Sequence, residues 1–181
     1  MNTIELIDRL EQDKSLQKEE WIHVIEDGSE ENRKYAAEKA RALGDTYYGK
    51  EIFVRGLIEF TNYCKNDCYY CGIRCSNKKA NRYRLSEEDI LACCEEGDRL
   101  GFRTFVLQGG EDPYYTDDKI VDIVREIKRR YPEHAVTLSI GERERESYER
   151  FFAAGADRYL LRHETANDTH YRKLHPESMS L

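Results

Sequence analysis

From residue 50 onward, short apolar runs alternate with amphipathic segments, and this alternation limits the fold more than any other feature of the sequence. In chain order, the pattern predicts strand 52–60, helix 86–100, strand 103–108, helix 117–130, strand 134–140, helix 144–154 and strand 157–162. Ser86 and Thr116 are suited to helix N-caps, and Gly101 and Gly155 to helix C-terminal stops. Each strand follows its helix by a few residues, which favours parallel βαβ units.

The number of predicted strands decides the fold class. Four strands cannot close a (β/α)8 barrel, which needs roughly 200 residues or more. We therefore expect an α/β fold, the N-terminal half of a TIM-type (β/α)8 barrel, in a chain that is a fragment or a truncated product. A complete open sheet of four or five strands is the alternative. Residues 50–181 form this partial barrel, and residues 1–49 form an N-terminal helical region closed by Gly44 and Gly49.

Charge and hydropathy exclude several functional classes. The chain has 36 acidic and 29 basic side chains and a net charge of −7, so we expect no nucleic-acid partner. The longest apolar runs, such as 105–107, are far shorter than a membrane span, and the first residues lack the apolar segment of a signal peptide. The chain is therefore expected in the cytoplasm, with no membrane association.

The two faces of the predicted strands differ in polarity. On the first strand, the alternate residues Ile52, Val54, Ile58 and Phe60 are apolar and are expected to meet the helices. The inward face is predicted to carry Arg55, Leu57, Glu59, Thr104, Gln108, Thr137, Ser139, Leu160, Arg162 and Glu164. Barrel interiors are normally filled by branched apolar side chains. This more polar interior is therefore predicted to hold a polar molecule.

Three cysteines with the spacing Cys-x3-Cys-x2-Cys follow the first strand directly: Cys64, Cys68 and Cys71. In a reducing compartment such a trio favours metal binding over disulfides. Three thiolates on one loop can ligate three irons of a 4Fe-4S cubane, which leaves the fourth iron open for S-adenosylmethionine (SAM). Cys75 keeps an alternative open, because four thiolates suit structural zinc or a closed iron–sulfur cluster, and hence a non-enzymatic interaction module.

Polar motifs at the ends of the other strands supply candidate ligand contacts. The run Gly109-Gly110-Glu111 follows the second strand, where paired glycines let a ligand approach the backbone and permit positive φ; a simple turn is the alternative. Ser139 ends the third strand as a candidate hydrogen-bonding group. At the end of the fourth strand, Glu164 is a candidate to bind SAM, and Arg162 is a candidate to bind a carboxylate of the substrate. The alternative is that these two residues form a salt bridge with each other.

The sequence from about residue 50 to residue 178 resembles the radical SAM superfamily and, within it, the HydE-type iron-iron hydrogenase maturases. Beyond the cysteine loop, the likeness rests on the runs 58–62, 70–74, 82–85, 106–115 and 154–167. It implies a (β/α)8-barrel enzyme that reductively cleaves SAM at a 4Fe-4S cluster to make a 5′-deoxyadenosyl radical. The implied role is maturation of the iron-iron hydrogenase active-site cluster.

The same resemblance implies roles for single residues. Cys64, Cys68 and Cys71 would hold the cluster, Ser139 and Glu164 would contact SAM, Tyr70 would lie near the adenine, and Arg162 would lie in the substrate cavity. Gly109, Gly110 and Glu111 are predicted to bind SAM from their position at the barrel rim beside the cluster, and not from the resemblance. Biotin synthase and methylornithine synthase share the barrel and the cysteine spacing, so they are the alternative enzymes.

The resemblance also implies partners. They are a small-molecule or organometallic substrate, an electron donor such as ferredoxin or flavodoxin, and other hydrogenase maturases. Just after the cysteine loop, a basic group predicts a solvated surface, with contact to the electron donor as the alternative; its members are Lys78, Lys79, Arg82 and Arg84.

Overall fold

A computed structural model describes all residues from 1 to 181. The chain divides into two compact units, Met1–Phe53 and Val54–Leu181. No helix has the length and apolar character needed to cross a membrane.

The first unit consists of three helices, α1 (Thr3–Asp13), α2 (Lys18–Glu26) and α3 (Glu30–Tyr48). Asn2 begins α1 with a capping box, in which its side chain and that of Glu5 satisfy each other's backbone N–H groups. The expectation that Gly44 closes the region was wrong, since α3 continues through it; Gly49 is the residue that caps α3, with φ 58°.

The second unit alternates strands and helices, as the sequence pattern predicts. Its elements are β1 (Gly56–Thr61), α4 (Glu87–Arg99), β2 (Thr104–Gly109), α5 (Asp117–Arg130), β3 (Ala135–Ser139), α6 (Arg145–Ala154), β4 (Arg158–Tyr159) and α7 (Asp168–Leu174). The strands form one sheet in the order β1-β2-β3-β4, and every neighbouring pair is parallel. All four strands therefore point their carboxyl ends toward the same rim.

The predicted helix boundaries follow from local capping chemistry. Ser86 accepts a hydrogen bond from the backbone N–H of Asp89 to begin α4, and Thr116 accepts one from that of Lys119 to begin α5. Gly155 ends α6 at φ 108°, and Gly101 follows α4 at φ 88°. These positive φ values favour glycine.

The hydrophobic core lies between one face of the sheet and helices α4, α5 and α6. Phe60, Phe105, Leu138 and Phe151 are among its fully buried members. The register pairs Glu59 with Gln108 and Gln108 with Ser139, so these three polar side chains share the inward face, as predicted.

Two strand boundaries differ from the sequence prediction. β1 begins at Gly56 rather than residue 52, and Ile52 and Val54 are exposed, because no neighbouring strand pairs with 52–55. β4 has only two residues, so Arg162 and Glu164 lie beyond the strand that was expected to carry them. Helix α7 was not predicted, because most of its residues are polar.

Candidate functional site

The candidate site lies at the rim where the parallel strands end. The cysteine loop follows β1, the Gly110-Glu111 turn follows β2, and Gly141 lies just after β3. Ligands of parallel α/β proteins bind outside the carboxyl ends of the strands. This rim therefore gathers most of the polar motifs that the sequence singles out.

Cys64, Cys68 and Cys71 are half-buried on one loop. The Cys71 N–H donates to the Cys68 carbonyl at 2.9 Å, which makes a tight turn between the second and third cysteines. Burial raises the pKa of Cys64 and of Cys68, and Cys71 adds to the increase at both, so the three thiols are close enough to influence one another. The raised pKa values favour the protonated thiols of Cys64 and Cys68 until a metal displaces their protons.

The donor set fits an iron–sulfur cluster. No three His, Cys, Asp or Glu side chains meet closely enough to hold a single metal ion. Three half-buried thiols on one loop are the donor chemistry that a four-iron cubane takes. Cys75 is exposed, and its thiol lies with Asp67, whose carboxylate also accepts the Ser76 N–H at 3.0 Å.

The glycine pair lets β2 and the cysteine loop pack closely. A Cβ on Gly110 would lie 2.2 Å from the Tyr63 carbonyl oxygen and 2.7 Å from the Cys64 Cβ, and one on Gly109 would lie 2.6 Å from the Thr61 Cγ2. Neither residue takes the positive φ that glycine permits. Their contact with SAM stays a prediction, while their role in supporting the cysteine loop is visible in the packing.

Glu111 links three segments of the rim. Its Oε1 accepts from the Asn66 side chain at 2.9 Å and from the Glu142 N–H at 3.4 Å. Its Oε2 pairs with Lys65 at 3.1 Å, and its carbonyl accepts the Lys65 N–H at 3.0 Å. These contacts fix the stretch between Cys64 and Cys68, so the Glu111 carboxylate is engaged within the protein. A SAM contact for Glu111 stays a prediction.

Asp112 is a buried hydrogen-bond acceptor that was not predicted from the sequence. Its side chain is 1% exposed and receives two hydrogen bonds from Arg84, at 2.6 and 2.8 Å, and one from the Thr61 hydroxyl at 2.8 Å. The Arg84 guanidinium also lies 3.9 Å from the Tyr63 ring centroid, beside Cys64. The sequence does show an Asp directly before Pro113 in a turn. This is weak evidence for a structural role, because the sequence does not reveal the distant partners of Asp112.

Arg82 departs from the predicted solvated surface, whereas Arg84 is exposed as expected. The Arg82 guanidinium donates to the carbonyls of Asn62, Ile73, Arg74 and Asn77 and so holds both ends of the cysteine loop. Such carbonyls would otherwise lack partners in an irregular loop. The Arg84 guanidinium forms an ion pair with Asp112. Lys78 and Lys79 are exposed, as expected.

Tyr70 lies between the second and third cysteines and is 50% exposed. Burial of its hydroxyl, and after it the nearby thiol of Cys68 and the carboxylate of Glu164, raise the pKa of Tyr70 above its usual value. Glu164 therefore lies near Tyr70 even though the chain from Leu160 to Ala166 forms no regular element.

The remaining predicted ligands differ in burial. Ser139 is the last residue of β3 and is 9% exposed on the inward face. Arg162 and Glu164 are exposed, and no ion pair joins them, so the internal salt bridge is not formed. Most of the predicted site residues therefore lie at this rim: the cysteines, the glycine motif, Ser139, Tyr70 and, near Tyr70, Glu164. Arg162 is the exception, since no contact in the fold fixes its side chain.

Comparison with known proteins gives consistent matches. A sequence profile of the Radical SAM superfamily matches residues 58–178. The FeFe hydrogenase maturase subunit HydE of Thermotoga maritima is 52% identical over 132 residues, 73% of this chain and 37% of that protein. The 3-methylornithine synthase of Methanosarcina acetivorans is 34% identical over 137 residues, 75% of this chain and 39% of that protein.

Solved structures agree with the sequence matches. The crystal structure of HydG, a maturase of the FeFe hydrogenase, superimposes with a TM-score of 0.83 and 27% identity, over 97% of this chain and 40% of that chain. This chain therefore spans about two fifths of the length of these relatives.

Proposed function

Because this chain belongs to the radical SAM superfamily, we propose that Cys64, Cys68 and Cys71 hold a 4Fe-4S cluster at which SAM is cleaved reductively. Membership of the superfamily and the half-barrel fold, both predicted from the sequence, are confirmed. When bound, the cluster would supply one electron that breaks the S–C5′ bond of SAM, so that methionine and a 5′-deoxyadenosyl radical are formed. The observation that carries the proposal is the half-buried cysteine trio at the carboxyl end of β1.

The chain's own residues then bind and orient SAM. Ser139 offers a hydroxyl and Glu164 a carboxylate for its polar groups, and Tyr70 offers a half-exposed ring for its adenine. Gly109 and Gly110 keep side chains away from the loop that carries Cys64. Glu111 holds Lys65 and Asn66 in place, so the first two cysteines are fixed before any metal binds.

We assign the enzyme to maturation of the iron-iron hydrogenase active-site cluster, on the strength of the 52% identity to HydE. The substrate is a small or organometallic molecule, and Arg162 is the group that would meet an anionic part of it. Other hydrogenase maturases are the expected partners.

The test is anaerobic reconstitution of the full-length protein with iron and sulfide, reduction with dithionite, and assay of 5′-deoxyadenosine released from SAM. We expect the product to form. Absence of 5′-deoxyadenosine from protein with an intact cluster would falsify the proposal and favour a non-enzymatic iron–sulfur module.

Cys68→Ser and Cys75→Ser form a matched pair for the ligand assignment. Cys68→Ser removes a proposed ligand and should abolish cleavage, whereas Cys75→Ser alters an exposed thiol and should leave the cleavage rate nearly unchanged. Equal loss in both variants, with bound zinc or a closed cluster, would contradict the three-cysteine site.

A second candidate is a methylornithine synthase-like or biotin synthase-like enzyme. The 34% identity to 3-methylornithine synthase favours it. Complementation of a strain that lacks its HydE separates the two, with hydrogenase activity as the measurement. Formation of 3-methylornithine without any rescue would support the second candidate.

We further propose that the electron donor docks beside the cysteine loop. Residues 62–84 contain six Lys or Arg and one Asp, in a chain whose net charge is −7. Next to Cys64, cations and tyrosines form a continuous strip: Arg84 lies 3.9 Å from the Tyr63 ring centroid and 4.9 Å from that of Tyr114, and Lys119 lies 3.3 Å from the latter. Because Arg84 is paired with Asp112, Lys119 supplies the unpaired positive charge of this strip, and that charge suits an acidic donor such as a ferredoxin or a flavodoxin.

Lys119→Glu tests this docking surface, with Arg125→Glu as the control. Both residues are exposed on α5 and both substitutions change the charge equally, but only Lys119 belongs to the strip. We expect Lys119→Glu alone to slow cluster reduction by an acidic ferredoxin, with a weaker dependence on salt. Reduction by dithionite should be equal in both variants. Equal rates with ferredoxin would refute this docking site but leave the cluster assignment intact.

A further inference from the structure

His175 is a buried side chain in an otherwise exposed part of the chain. It is 4% exposed, while α7, which immediately precedes it, has no buried residue. A buried polar ring is unfavourable unless its nitrogens have hydrogen-bond partners. The partners of His175 therefore indicate why it is buried.

Both ring nitrogens of His175 have a partner. Nδ1 lies 3.0 Å from the Tyr171 carbonyl oxygen, and Nε2 lies 3.3 Å from the Tyr70 hydroxyl. A carbonyl oxygen only accepts, so Nδ1 carries the proton of the neutral ring. Nε2 is then an acceptor, and the Tyr70 hydroxyl donates to it.

Ring packing and the backbone reinforce this contact. The His175 ring stacks on Tyr171 with centroids 3.9 Å apart and meets Tyr70 edge to face at 5.5 Å. The Tyr69 N–H donates to the Leu174 carbonyl at 2.8 Å. The segment 171–175 is thus joined to Tyr69 and Tyr70, about a hundred residues away along the chain, through a side-chain hydrogen bond, a ring contact and a backbone hydrogen bond.

We infer that His175 is a positioning residue that fixes the Tyr70 ring between Cys68 and Cys71 and thereby orients the aromatic surface that receives the adenine of SAM. The inference rests on the proposed function. An unrestrained tyrosine on a loop would lose rotamer freedom when SAM binds, and a ring already fixed by His175 avoids that loss. His175 itself touches neither the cysteines nor SAM in this role.

The test measures SAM binding by equilibrium dialysis to the full-length protein after cluster reconstitution. His175→Phe keeps a planar ring but removes the acceptor, and Tyr70→Phe removes the donor. Each should weaken SAM binding about fivefold, the value of one net hydrogen bond. The double variant should bind no more weakly than His175→Phe, because that substitution already removes the bond between Tyr70 and His175, together with the one to the Tyr171 carbonyl. Iron content and the visible absorption spectrum should stay unchanged in His175→Phe.

Two further variants guard against a general loss of structure. His175→Gln retains an amide that can donate to Tyr171 and accept from Tyr70, so it should bind SAM nearly as well as the wild type. His170→Phe changes an exposed histidine of α7 and should have no effect. Hydrogen exchange of the Tyr69 amide provides a measurement independent of SAM, and it should speed up in His175→Phe but not in His170→Phe.

Unchanged SAM affinity in His175→Phe, or additive losses in the double variant, would overturn the inference. Failure of the wild-type protein to bind SAM despite an intact cluster would overturn the proposed function, and this inference with it. The two failures are distinguishable, because only the second affects the wild type.

Discussion

At the scale of single residues, the contacts of the site differ in how far apart along the chain their partners lie. The cysteine trio and the glycine pair are contiguous motifs, so the sequence alone could indicate them. Asp112 and His175 were missed because their partners are remote: Thr61 lies 51 residues from Asp112, and Tyr70 lies 105 residues from His175. A single Asp or His in a sequence carries no sign of a partner that only folding brings near.

Asp112→Asn should destabilise the second unit. The substitution removes a buried charge but leaves the Arg84 guanidinium without its carboxylate. We expect the free energy of unfolding to fall by about 1–3 kcal/mol, as for a lost charged hydrogen-bond network. Urea denaturation of the metal-free protein measures it. Asp118→Asn, at an exposed ion pair with Arg150, is the control and should cost about 1 kcal/mol or less.

The contribution of Asp112 should depend on pH. Burial opposes ionisation, but Arg84, the Tyr114 N–H and Thr61 together hold the pKa of Asp112 below its usual value. Because the folded pKa is below the unfolded one, the stabilisation is complete above the unfolded value of about 3.9 and is lost as the pH falls through the folded value. The stability difference between wild type and Asp112→Asn should therefore be constant near neutrality and shrink below about pH 4. A difference that grows on acidification would contradict this sign.

Gly110→Ala should prevent normal cluster loading. Its new Cβ would lie 2.2 Å from the Tyr63 carbonyl oxygen, so the loop that carries Cys64 must move. We expect iron content after reconstitution to fall severalfold. Gly72→Ala is the matched control, since a Cβ there meets nothing within 4 Å and Gly72 also borders a cysteine. Equal iron content in the two variants would show that the close packing is not needed.

At the scale of elements, caps and periodicity predicted the helices better than the strands. Helices α4, α5 and α6 agree with the expected ranges within a residue or so. The reason is local capping: Ser86 begins α4, Thr116 begins α5 and Gly155 ends α6. A strand ends where its neighbour stops pairing, and this depends on residues elsewhere in the chain. That is why β1 starts late and β4 is short.

Helix α5 should be a major source of stability for the sheet. Five of its residues are buried: Ile120, Val121, Ile123, Val124 and Ile127. Ile127 is 0% exposed, so Ile127→Ala should lower the free energy of unfolding by about 2–5 kcal/mol through lost burial and a cavity. Arg125→Ala, on the exposed face of the same helix, should change it by about 0.5 kcal/mol or less. Urea denaturation compares them, and similar losses would place the core elsewhere.

At the scale of the whole molecule, the large hydrophobic core belongs to the second unit alone. Its buried members run from Ile58 to Ala156, whereas the first unit buries little more than Leu6, Ile7 and Leu16. We expect a protein that starts at Val54 to keep its helical circular dichroism and to load iron to the same level as the complete protein. Loss of both would show that the first unit is needed for folding.

The parallel order of the strands has a practical consequence. The cysteines and the glycine motif lie at the carboxyl rim. At the opposite rim, Asp98 near the end of α4 contacts both Arg103, just before β2, and His134, just before β3, and these two residues also contact each other. A dye, an affinity tag or a surface linker attached at that opposite rim would sit a full strand length from the cysteines. The protein can thus be labelled or immobilised at this opposite rim, and the cysteine loop is left free.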